Sequence, residues 1–121
     1  MNAQDRSFSY RLGEDEKKLT YEADTKIPNA GTFILNKEDH TLSNLLRMQL
    51  LRDKNVKFAG YMHPHPLLQH TVLRIQTSDP PANPIDALST AIEDLSTEVD
   101  TIEQRMKEEV EKFKKREESQ F

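Results

Sequence analysis

The amino-acid sequence predicts an α+β fold: a two-layer sandwich whose four-stranded sheet carries a short helix and a long C-terminal helix on one face, completed by association with another chain. Three observations predict it. Residues 19–23, 31–36, 56–63 and 71–77 are short runs with the alternation and turn-residue boundaries of half-buried strands. Two other stretches space their apolar residues three and four apart, as helices that bury one stripe do. The resulting order, strand, strand, helix, strand, strand, helix, suits helices gathered on one face of a sheet, and no internal repeat is visible.

Phe8, Tyr10 and Leu12 lie two apart, which predicts an extended arm over residues 1–18, laying three side chains on an apolar surface before the polar turn Gly13-Glu14-Asp15-Glu16. A disordered tail is the competing reading. Strands follow at Leu19–Ala23 and Gly31–Asn36, separated by a loop that Pro28 and Asn29 punctuate. Asp39 is placed to cap a first helix with the face Leu42, Leu45, Leu46 and Leu50, ending near Arg52 to Asn55. At 100° per residue these leucines span an arc of roughly 140°. Adding Met48 and Leu51 widens it to roughly 260° and leaves mainly Ser43 and Arg47 on the polar sector, so this helix is expected to touch neighbours on two sides. Val56–His63 sets Val56, Phe58, Gly60 and Met62 against Lys57, Ala59, Tyr61 and His63, and Thr71–Thr77 sets Leu73 and Ile75 against Val72, Arg74 and Gln76. Between them Pro64-His65-Pro66 cannot continue a ladder.

Asn83 as cap and Pro84 at the first helical position open the second helix. Its stripe is Ile85, Leu88, Ile92, Leu95, Val99, Ile102, Met106, Val110 and Phe113. A helix running to about Lys115 measures roughly 45 Å, while a domain of this size has a radius of gyration near about 14 Å. The second half therefore has nothing of its own domain to lie on. Leaving Val99, Ile102, Met106, Val110 and Phe113 in water forfeits at most about 1.5–3 kcal/mol each, together comparable with the net stability of a small domain. A covering protein is the simplest remedy. Between Glu103 and Glu118, 12 of 16 residues are charged, six of each sign, which marks a solvated helix surface with ion pairs expected at Glu103/Lys107, Glu108/Lys112 and Glu111/Lys115. Residues 116–121 read as a charged tail.

Composition narrows the function further. With 121 residues and 35% apolar content the private core is modest, so much of the burial should come from association. A net charge of −4, with lysines interleaved among glutamates, disfavours an autonomous nucleic-acid binder, which needs a basic stripe. No cysteine means no disulfide framework and no thiolate metal site, in keeping with a reducing compartment. The N-terminus lacks an apolar signal core and no stretch reaches the length of a membrane span, so a soluble intracellular chain is expected. His63 and His65 flank Pro64, with His40 and His70 elsewhere; a turn explains the pair more simply than a metal site, which would need further ligands. Neither a Gly-x-Ser-x-Gly elbow nor a glycine-rich phosphate loop occurs. His40, just after the cap, is expected to hydrogen-bond the helix start or a strand.

The run Asn36-Lys37-Glu38-Asp39-His40-Thr41-Leu42-Ser43-Asn44-Leu45 resembles the signature of the smaller α-like subunits of RNA polymerase, a family related to archaeal subunit L and the bacterial α N-terminal dimerisation domain. Asp24-Thr25-Lys26, Pro28-Asn29-Ala30, Phe58-Ala59-Gly60-Tyr61, Pro64-His65-Pro66-Leu67 and Arg74-Ile75-Gln76-Thr77 are similar, in order, to stretches of its polymerase II branch, as is Met1-Asn2-Ala3. The resemblance extends to about Lys115 and makes 19–115 an α-like dimerisation domain. It implies a non-catalytic assembly subunit of nuclear DNA-directed RNA polymerase II, paired with the third, larger α-like subunit as a platform for the largest and second-largest subunits in mRNA transcription. DNA would be met only through the assembled enzyme; no cofactor, metal, membrane or small-molecule substrate is implied. Carried over residue by residue, the dimer interface is Leu42, Leu45, Met48, Leu88, Ile92, Leu95, Val99, Ile102 and Met106, and the family motif is Asp39, His40, Thr41, Leu42 and Asn44. Ser43 departs from the family's usual glycine, which would allow close backbone approach, and so implies a wider or hydrogen-bonded contact. Two other readings stay open: the equivalent subunit shared by polymerases I and III, and a self-associating coiled-coil scaffold built on the heptad stripe.

Overall fold

Alternation along the strands decides which way the sheet faces. The computed structural model describes residues 5–120. Its elements are β1 (Leu19–Ala23), β2 (Ala30–Asn36), α1 (His40–Leu51), β3 (Val56–Met62), β4 (His70–Thr77) and α2 (Pro84–Gln120). The four strands make one antiparallel sheet in the order β1-β2-β4-β3. Phe33 lies opposite Leu73, Leu35 opposite Thr71, and Ala59 opposite Ile75, so these side chains share a face. That face is buried, together with Leu46 and Leu50 of α1 and Ala87, Leu88 and Ala91 of α2. Leu50, Leu73 and Ile75 are completely enclosed, each worth about 1.5–3 kcal/mol of transfer free energy. The expected α+β sandwich is present, with strand limits within a residue of those expected.

At β1, a Cβ on Gly31 would sit 2.3 Å from the Tyr21 ring, so glycine is what lets that ring lie across β2 and reach Phe33, centroid to centroid 4.7 Å. All five residues of β1 are exposed, as befits an outermost strand.

Asp39 caps α1 as expected: its backbone is extended and its Oδ1 accepts from the Thr41 N–H at 2.9 Å. The buried arc of the helix differs from the expected one. Ser43 is fully buried and shares a hydrogen bond with the Thr71 hydroxyl, while Leu45, Met48 and Leu51 are exposed. The sheet-facing arc is thus Ser43, Leu46 and Leu50 rather than four leucines. The two hydroxyls satisfy one another, and the small Ser43 side chain sits where β4 passes beneath α1. The hydrogen-bonded contact expected of Ser43 therefore lies inside the chain's own core.

Residues 5–11 are wound into turns instead of the expected extended arm. The Asp5 carboxylate accepts from Ser7 N–H, and the Ser7 carbonyl accepts from Tyr10 and Arg11 N–H at 3.1 and 2.8 Å. These local bonds outweigh the weak alternation of Phe8, Tyr10 and Leu12. Residues 1–4, including Met1-Asn2-Ala3, and residue 121 lie outside the described residues.

The chain divides into two units, one ending at Ala91 and the other beginning at Ile92. α2 starts as expected, with Asn83 Oδ1 accepting from Asp86 N–H at 2.9 Å. It continues past Lys115 to Gln120, because no glycine or proline follows Pro84 and the charged residues are good helix formers. Its 37 residues span about 55 Å.

Candidate protein-interaction site

Apolar side chains that find no cover within the chain mark where another protein would bind. From Ile92 onward, Ile92, Val99, Ile102, Met106, Val110 and Phe113 are all exposed, Ile102 at 68% and Met106 at 65%, and Leu95 is half-buried. Their three-and-four spacing puts them in one row along the helix. Around that row the Lys107–Glu103 pair closes at 3.0 Å, Lys112 turns to Glu109 at 3.3 Å rather than to Glu108, and Gln104 donates to Glu108 at 3.3 Å. The Thr97 and Thr101 hydroxyls donate to the carbonyls four residues back, at 3.0 Å each.

A second apolar surface lies on α1, where Leu45, Met48 and Leu51 are about half exposed and Leu42 partly so. Of the expected interface residues, Leu42, Leu45, Met48, Ile92, Leu95, Val99, Ile102 and Met106 thus keep surface to offer. Leu88 does not. At 3% exposure it is consumed by the chain's own core beside Ala87 and Ala91, because the first two turns of α2 belong to the compact unit that ends at Ala91. Leu51 was absent from the expected set although its place on the widened helical arc signalled it, and Val110 and Phe113 were signalled by the stripe itself.

The motif residues build the start of α1. Asp39 caps it, and the Thr41 N–H bond is the leading reason that the Asp39 carboxyl is held below its ordinary range. His40 Nδ1 meets the Tyr61 hydroxyl at 2.8 Å, tying the helix to β3 as expected of it. Asn44 Oδ1 accepts from Arg47 Nη2 at 2.7 Å and Nε at 3.2 Å, which removes Arg47 from a purely solvated role. Just before the cap, Lys37 takes a left-handed φ of 59° and its N–H donates to the Gln69 carbonyl. Its ammonium lies 3.7 Å from the Phe8 ring centroid and 3.8 Å from Glu16, a cation–π contact that fixes the N-terminal turns and that nothing in the sequence pattern announced.

His63 and His65 serve the turn between β3 and β4, with His63 Nε2 donating to the Leu68 carbonyl at 2.6 Å and His65 Nδ1 accepting from Leu67 N–H at 3.1 Å, while His70 opens β4 opposite Asn36. Among the described residues no three His, Cys, Asp or Glu side chains converge, and no helix is long and apolar enough to cross a membrane. The strongest ionic feature is Asp24, whose carboxyl is lowered to about 2, first by the Ile27 N–H bond, then by Arg74 at 2.6 Å and the Lys26 N–H. It clamps the β1–β2 turn to β4.

Comparison with known proteins bears on the family and the fold. Residues 30–105 match the family model described as the RNA polymerase Rpb3/Rpb11 dimerisation domain. The chain is 51% identical over 100 residues, 83% of its length and 81% of the relative's, to a probable DNA-directed RNA polymerase II subunit RPB11 of Caenorhabditis briggsae. It is 46% identical over 112 residues, 93% and 92% of the two chains, to DNA-directed RNA polymerase II subunit rpb11 of Dictyostelium discoideum. Its fold is similar to that of DNA-directed RNA polymerase subunit L from Thermoplasma acidophilum, with a TM-score of 0.66 at 20% identity over 81% of this chain and 95% of that one. On the family match over residues 30–105 and these identities, the chain belongs to the Rpb3/Rpb11 dimerisation-domain family of RNA polymerase subunits.

Proposed function

We propose that this chain is the small α-like, non-catalytic assembly subunit of nuclear RNA polymerase II, pairing with the third, larger α-like subunit as a platform for the two large subunits. The observation that carries the pairing is the exposed row Ile92, Val99, Ile102 and Met106 on α2, which only another protein can cover. The surface Leu42, Leu45 and Met48 on α1 belongs to the same interface. Residues 19–115 serve as the dimerisation domain, and the helical segment from 116 onward is a solvated extension. The 51% and 46% identities to polymerase II relatives support that branch over the subunit shared by polymerases I and III.

Co-expression with the larger α-like subunit of polymerase II is expected to give a soluble 1:1 complex, whereas Leu95→Asp or Ile102→Asp abolishes it. Losing one enclosed anchor in such an interface costs about 2–5 kcal/mol. Normal co-purification of both charged variants rejects the interface. A stable homodimer by light scattering, indifferent to the larger subunit, would instead establish the coiled-coil scaffold.

A further inference from the structure

The sheet has a second face, and its side chains are the wrong kind for water. In a two-layer antiparallel fold the side away from the helices is ordinarily polar. Here the register sets Ile34, Val72 and Met62 in one row across β2, β4 and β3, directed opposite to the buried Phe33, Leu73 and Ala59. Phe58 joins them along β3, its ring lying across Gly60, where an added Cβ would come within 2.9 Å of it. Phe58 is 50% exposed, Met62 59% and Ile34 36%. Toward β1 the same face turns polar: Thr20, Glu22, Thr32 and Arg74. Lys18 is paired with Glu38 and Arg74 with Asp24, but Glu22 has no ion-pair partner among the described residues.

We infer that this outer sheet face, Ile34, Phe58, Met62 and Val72 bordered by Glu22, is a docking surface for an amphipathic helix of a third chain that brings a lysine or arginine to Glu22. The inference rests on the proposed pairing, which gives the apolar rows of α1 and α2 to the α-like partner. The outer sheet face lies on the side of the sheet opposite α1, so the chain that covers α1 leaves it open. A helix fits because its diameter of about 10 Å matches the two strand spacings, each about 4.8 Å, that separate Ile34 from Met62. The unpaired carboxylate beside an apolar strip selects a cation on the rim of that helix, where it sets orientation.

The chain has no cysteine, so Met62→Cys supplies a single thiol on this face, at a position 59% exposed and outside the core. Maleimide labelling of this subunit is to be timed in the isolated chain, in the two-subunit complex and in the polymerase recovered through a tag on this chain. Labelling at least tenfold slower in the polymerase than in the two-subunit complex supports the proposal, as does a benzophenone cross-link from the same thiol into an amphipathic helical segment with a basic residue. Glu22→Lys is expected to keep the two-subunit complex and to reduce recovery of the third chain in a salt wash. Equal labelling in the polymerase and the pair overturns the proposal. So does protection already present in the pair, which would assign the face to the α-like partner, or concentration-dependent protection of the isolated chain, which would assign it to a second copy. Failure of the underlying pairing shows itself separately, as absence of the two-subunit complex, and overturns both.

Discussion

Ser43 and Thr71 show how one pair of small polar side chains decides where a helix sits. Both are fully buried and their hydroxyls satisfy each other. Ser43→Ala leaves the Thr71 hydroxyl buried without its partner and is expected to cost about 1–3 kcal/mol in urea unfolding of the two-subunit complex. Ser43→Ala with Thr71→Val should lose less than Ser43→Ala alone. Asp24 is a different case, half-buried and heavily hydrogen-bonded, with its carboxyl lowered to about 2 in the fold. A depressed carboxylate stabilises the fold above its unfolded pKa and loses that contribution as pH falls from about 4 toward 2. Asp24→Asn should therefore flatten the pH dependence of the melting temperature over that acid window and leave its slope above pH 6 unchanged. The capping role of Asp39 was legible in the sequence because a cap is a local arrangement. The Ser43–Thr71 and Lys37–Phe8 contacts were not, since their partners lie 28 and 29 positions apart and no periodicity records such a meeting.

The helices show where periodicity suffices and where it stops. Spacing alone located both and identified the amphipathic stripe of α2. It could not divide that stripe between inner and outer use, because Leu88 and Ile102 occupy equivalent positions on it. The division comes from which turns belong to the unit ending at Ala91: Leu88 is 3% exposed and Ile102 68%. Leu88→Ala should accordingly destabilise the fold by about 2–5 kcal/mol, whereas Ile102→Ala should leave fold stability within about 0.5 kcal/mol and weaken pairing. Circular-dichroism melts read the first effect and titration calorimetry with the larger α-like subunit reads the second. On α1 the arc was measured correctly and its orientation missed, since Ser43 in the sheet-facing centre looks polar in a one-dimensional pattern.

At the scale of the molecule, the two-layer architecture followed from element order and alternation, and the surplus of apolar surface from the length and stripe of the last helix; the strand order β1-β2-β4-β3 had no such signal. The outer sheet face was foreshadowed only in part, by the grouping of Phe58, Gly60 and Met62 on one side of β3. Which side of a strand meets the core depends on register with β4, and register is a property of the assembled sheet.

β1 ends the sheet with all five residues open to solvent and no lysine, proline or bulge within it. Its outward row of amide and carbonyl groups is a template to which an extended segment can add. A copy made in excess of its mate is thus both adhesive and able to recruit further strands. Balanced synthesis of the two subunits then becomes a condition for keeping this polypeptide out of aggregates.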